Sequence, residues 1–198
     1  ATLMLNVAAG AFGDAAIAGM SIVTRISFFT YAMVIGLGQG FQPLCGFCYG
    51  AKLYGRVKEA FFFCIKCGTV FLSVCAILGS IFSTSIISIF RDDAAVVAVG
   101  SAALRWQVLS FPLIASIVLT NMLMQTIRKP VRANIVAAAR SGLFFIPLIF
   151  ILPYFFGLLG VEMCQMWADC CSFAVAVPIA WSAFRDMRRE KMELGKSH

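Results

Sequence analysis

Two close cysteine pairs, Cys45/Cys48 and Cys64/Cys67, are the first residues in this chain whose spacing could do chemistry. Fifteen residues separate them, which fits the C-x2-C-x15-20-C-x2-C pattern of thiolate zinc sites. Such a site needs ionised sulfur in a polar setting. Both pairs instead lie within or at the ends of apolar stretches, where cysteine serves as a small hydrophobe. Lys66 also falls inside the second pair and repels a cation. No metal is therefore expected. Cys75, Cys164, Cys170 and Cys171 have no ligand partners in the pattern. The single histidine is His198, at the C-terminal end, which removes a catalytic triad and a His-bound metal. Gly36, Gly38 and Gly40 alternate, but no GK[ST] follows and no strand precedes them, so they are no phosphate loop. They read as small residues for close helix packing in lipid. Asp92 and Asp93 read as helix caps. No catalytic or cofactor-binding residue is assigned.

What remains is polar chemistry inside apolar sequence. Arg25, Lys66, Arg105, Arg140 and Asp169 all fall within long apolar segments. Such groups usually face a bundle interior or a water-filled cavity. Lys66 and Arg140 are close enough to basic loops to snorkel. Arg25 and Arg105 are harder to dismiss. Asp169 is two helical turns from Glu162 and has two readings: a hydrogen bond to a neighbouring helix, or ion and substrate handling. Gln39 and Gln42 are three apart, and Asn121 and Gln125 four apart, so each pair shares one helix face. Buried amides either join helices or line a pathway. Pro112, Pro147, Pro153 and Pro178 interrupt three segments, and freed carbonyls are tolerated only where protein or a wet cavity satisfies them.

The elements that must position these groups follow from composition. Of 198 residues, 61% are apolar and 13% charged, too few to cover a soluble globule. Five apolar segments, 15–49, 59–90, 95–127, 133–157 and 162–184, each exceed the ~20 residues that cross a bilayer. The first ten residues are too short to cross and read as the tail of a helix. The alternating polarity of a barrel strand is missing. The connections alternate in charge. Those at 10–14, 91–94 and 157–162 hold one basic residue, Arg91, whereas 50–59, 128–134 and the tail 185–198 hold eleven. This bias places the basic loops and the C-terminus in the cytoplasm. The net charge of +7 is thus loop charge that orients a membrane protein, and nucleic-acid binding is excluded.

"GLGQGFQPLCGFCYGAKLYGRVKEAF" resembles the end of the eighth helix of MATE (multidrug and toxic compound extrusion) transporters. "GDAAIAGMSIVTRI", "LRWQVLSFP", "NMLMQTIRKPVRANIVAAAR" and "IPLIFILPYFFGLLGV" are similar to other helices of that family, in the same order. The resemblance implies an all-α integral membrane fold. It implies a six-helix lobe, half of a twelve-helix transporter, with 1–10 the end of helix 7 and the five segments helices 8 to 12. It implies a secondary active multidrug antiporter in a bacterial plasma membrane, exporting organic, often cationic, compounds in exchange for H+ or Na+. The partners implied are the small-molecule substrate, the lipid bilayer and an N-terminal lobe. A lipid-linked oligosaccharide flippase of the same superfamily and a non-transporting scaffold are the alternatives. The candidate pathway or coupling residues are Arg25, Gln39, Gln42, Arg105, Asn121, Gln125 and Asp169. One branch of the family uses acids on its seventh and tenth helices. The segment 95–127 holds none, so no acid is carried over there.

Overall fold

The computed structural model describes Gly10 and residues 13–196, and it is all helical over that range. The expected helix end at 1–10 lies, but for Gly10, outside the described residues. Helix α1 spans Asp14–Gly50, α2 Tyr54–Ile81, α3 Ser83–Phe90, α4 Ala94–Thr126, α5 Pro130–Ala138, α6 Phe145–Phe156 and α7 Leu158–Lys196. A π-helical turn, Ala139–Leu143, joins α5 to α6. Helices α1, α2, α4 and α7 are long and apolar enough to cross a membrane. The chain is an integral membrane protein.

Helix α4 is the hub. It alone is buried along most of its length, and α1, α2, α3, α5 and α7 all pack on it. The surrounding helices turn large apolar side chains outward, among them Phe28, Phe63, Ile77, Phe155 and Trp181. An apolar exterior of this extent suits hydrocarbon and not water. At the α1–α4 crossing, a Cβ on Gly19 would sit 3.0 Å from the backbone nitrogen of Gly100, so glycine permits that approach. Of the alternating glycines, only Gly38 is packed, against Met122, while Gly36 and Gly40 face open space. The expectation that all three serve helix packing is corrected accordingly.

Three boundaries differ from the sequence expectation, each for a local reason. The segment 59–90 breaks at Phe82 (φ −96°, ψ 15°), next to Gly79 and Ser80. Such small residues are a usual cause of helix kinks. The segment 133–157 carries the π turn. Pro147 has no N–H to return to Leu143 four residues back, and the ladder widens just before it. The supposed loop 157–162 is a single residue, Gly157, at φ 58° and ψ −132°, after which α7 runs through the supposed tail to Lys196.

The basic connections end their helices by one shared device. Lys52 (φ 58°) and Arg128 (φ 57°) adopt the left-handed conformation. The amide of Leu53 donates to Cys48 O at 2.8 Å, and that of Lys129 to Met124 O at 2.9 Å. Each pattern is a Schellman cap, a place usually taken by glycine. A cation there suits the negative end of the helix. The two caps and the end of α7 meet: Tyr54 donates to Glu190 (2.8 Å), Arg132 to Asp186 (3.0 Å), and Lys129 also pairs with Asp186. The residues 50–59, 128–134 and 185–193 thus gather at one end of the bundle.

Candidate functional site

Asp169 lies eleven residues into α7, about 16 Å from its start at the helical rise. Its side chain is wholly buried. A charge at that depth must be paired. The partner is Arg140, in the π turn, whose Nε donates to Asp169 Oδ1 at 2.9 Å. Gln165 Nε2, one turn earlier on α7, approaches the same oxygen at 3.3 Å. On α4, Ser110 Oγ donates to Oδ2 at 2.9 Å and Gln107 Nε2 lies 3.4 Å from it. Gln107 Nε2 also donates to Ser110 Oγ (3.2 Å). The Arg140 guanidinium stacks on the Tyr31 ring of α1, 4.3 Å from its centroid. Three elements therefore meet at one carboxylate, and a fourth, α1, at its arginine partner.

The chemistry of this arrangement is that of a neutral, saturated pair. A carboxylate offers about four acceptor positions, and four donors point at this one. The π turn has a positional consequence, since it places Arg140 where it reaches inward. The expectation that Arg140 snorkels toward the basic loops is corrected: it turns to Asp169.

The other sequence candidates do not join this cluster. Arg105 is largely exposed, and its Nε donates to Ser83 Oγ at 3.0 Å, tying α4 to the break after Phe82. Gln125 donates to Asn121 Oδ1 at 2.7 Å, which closes that pair on itself near the basic end. Arg25 and Gln39 are exposed and Gln42 half-buried, and none makes a side-chain hydrogen bond to another described residue. Cys45 and Cys48 are buried in a core cluster with Phe41 and Phe61, against which Cys64 also packs, whereas Cys67 is exposed and stands apart from the other three. Among the described residues no three His, Cys, Asp or Glu side chains lie close enough to hold a metal ion.

Gln107, Ser110 and Gln165 were not singled out from sequence. Their signal was periodic: Gln107 and Ser110 are three apart, and Glu162, Gln165 and Asp169 recur at i, i+3 and i+7. Glu162 was read as a loop acid. It is 4% exposed, and its Oε2 has no hydrogen-bond partner. It is a second buried carboxyl group on the stripe of α7 that holds Asp169, and unlike Asp169 it has no cationic partner among the described residues.

An all-helical bundle with one buried helix as hub, an apolar exterior and an ion pair buried between helices belongs to the class of polytopic membrane proteins. The family model MatE matches residues 1–151. The chain belongs to the MATE family. It is 26% identical over 193 residues to "Multidrug export protein MepA" of Staphylococcus saprophyticus, covering 97% of this chain and 42% of that protein. Against the MepA of Staphylococcus aureus strain N315 the identity is 29% over 180 residues, 90% of this chain and 39% of the relative. The fold superposes on the Vibrio cholerae MATE transporter VcmN in the bent form with a TM-score of 0.85, at 19% identity, over 91% of this chain and 41% of that one. A MOP superfamily transporter from Pyrococcus furiosus gives 0.88 at 16% identity, over 94% and 42%. The chain spans about two fifths of the length of the relatives it matches.

Proposed function

We propose that this chain is the C-terminal lobe of a secondary active multidrug efflux antiporter, exporting organic, often cationic, compounds in exchange for H+ or Na+. The observation that carries this reading is the Asp169–Arg140 cluster, a buried pair that ties α7 and the π turn to the hub helix. A lobe that rocks as a unit keeps its helices in fixed register, and a saturated ion pair joining three elements specifies one such register. In this role Asp169 and Arg140 are positioning residues, and the coupling carboxylate lies elsewhere. Membership in the MATE family and the multidrug-export names of the relatives support the substrate class. The flippase alternative would need several free inward cations for a pyrophosphate. Arg105 and Arg140 are already committed, to Ser83 and Asp169, which leaves Arg25. The basic end faces the cytoplasm in this reading, as the alternating charge bias directs, in the plasma membrane of a bacterium.

The test uses cells stripped of their own efflux pumps. Expressing this chain together with a six-helix N-terminal half should lower accumulation of a fluorescent cationic dye relative to either half alone. Accumulation equal to that of empty cells, with both halves present in the membrane, would contradict the reading.

A further inference from the structure

Towards the basic end α2 and α7 meet at Phe61 and Phe62 against Phe184, and beside that contact they leave a groove of about 830 Å³ floored by Ser116 and Thr120 of α4. Its walls change character along their length. Phe62 of α2 and Phe173, Val177, Trp181 and Phe184 of α7 form an apolar trough. Lys58, Arg185, Arg188 and Lys191 form the rim. Trp181 is 73% exposed, so the trough is open to the surroundings. The α7 residues recur at helical spacing and make one stripe, apolar first and then basic. From Phe173 to Phe184 the stripe is about 16 Å long at the helical rise. That is the depth of one leaflet, half of ~30 Å. The cations begin where headgroups begin.

The rim is short of negative charge. None of its four cations makes a salt bridge among the described residues. Of the acids at this end, Asp186 is held by Lys129 and Arg132, Glu190 accepts from Tyr54, and Glu59 and Glu193 are exposed and do not line the groove. Lys58 stands 5.9 Å from the Phe62 ring, where the trough meets the rim. An acyl chain against the aromatics with a phosphate among the cations satisfies both halves. A cationic drug would meet repulsion there, and a zwitterionic lipid would leave most of the rim charge unanswered.

We propose that this groove is a binding site for an anionic diacyl phospholipid of the leaflet at the basic end, of the phosphatidylglycerol kind. Basic pockets between membrane helices recognise such headgroups through charge-assisted hydrogen bonds. The bound lipid bridges α2 and α7, which touch each other little elsewhere. The site is separate from substrate export and does not depend on it.

Trp181 reports on the groove directly. Trp106→Phe with Trp167→Phe leaves it as the sole tryptophan of the full chain. In phosphatidylcholine vesicles, bromine-labelled phosphatidylglycerol should quench Trp181 severalfold more than bromine-labelled phosphatidylcholine at the same low mole fraction. Arg185→Gln with Arg188→Gln and Lys191→Gln should abolish that preference with helicity by circular dichroism unchanged, while Arg185→Lys with Arg188→Lys should keep it. Equal quenching by the two lipids, or no quenching by either, would overturn the proposal. So would loss of the preference on adding millimolar inorganic phosphate, which would make the rim a site for a free anion. If the triple Gln variant fails to fold, high salt on the parent chain serves instead, and a preference indifferent to salt counts against the site.

Discussion

At the scale of single residues, the decisive contrast is between two buried acids on one stripe of α7. Asp169 has all its acceptor positions occupied, while Glu162 has an oxygen with no partner. Removing one member of a buried pair strands the other, at a cost of about 3–5 kcal/mol. Asp169→Asn should therefore lower the unfolding midpoint strongly. Asp169→Asn combined with Arg140→Met should cost less than the first change alone, because no charge is stranded. Unfolding in detergent, followed by circular dichroism in denaturant, reads both. A double variant worse than the sum of the single changes would contradict the pairing. Glu162→Leu should do the opposite and stabilise by about 1–3 kcal/mol, since an unpartnered buried polar group is replaced by an apolar one of similar size. A destabilised Glu162→Leu protein would show that the carboxylate is held by interactions that this geometry lacks. Sequence could place Asp169 in an apolar segment. It could not show that Arg140 reaches it, because that contact depends on a turn widened ahead of Pro147 and not on residue type.

At the scale of elements, apolar length and charge alternation were enough to identify the long helices, since each must cover the bilayer with its own hydrogen bonds satisfied. The breaks were not legible. The kink at Phe82, the π turn and the one-residue connection at Gly157 all arise from backbone geometry, which hydropathy does not register. The glycines show the same limit. Gly19 and Gly36 look alike in sequence, yet one lies against the backbone of α4 and the other faces open space. Gly19→Ala should destabilise by about 1–3 kcal/mol through forced separation of α1 and α4. Gly36→Ala should be neutral, or stabilising by up to about 1 kcal/mol from helix propensity. Thermal unfolding of the two variants side by side checks this, and equal effects would contradict the crossing. The Schellman caps give a further case. Lys52→Gly and Arg128→Gly should each stabilise by up to about 1 kcal/mol, because a side chain at positive φ is strained. A loss of stability on both changes would mean that the cations, and not the backbone turn, hold those ends.

At the scale of the molecule, the basic connections, the two caps and the last turns of α7 gather at one end, and in the orientation proposed above from the charge bias that end faces the cytoplasm. Single cysteines at positions 54 and 130 in a cysteine-free background should label from the cytoplasmic side, and one at position 92 from the other. Labelling of position 92 only from the cytoplasm would invert the orientation. The central claim is that this bundle moves organic cations on an ion gradient only when a second lobe faces it. Purified protein in liposomes loaded with a fluorescent cationic dye tests that claim most directly, with a proton or sodium gradient imposed across the membrane. Dye movement that needs both lobes and stops when the gradient is collapsed is the predicted result. Gradient-driven dye movement by this chain alone, or movement with both lobes that ignores the gradient, would contradict it.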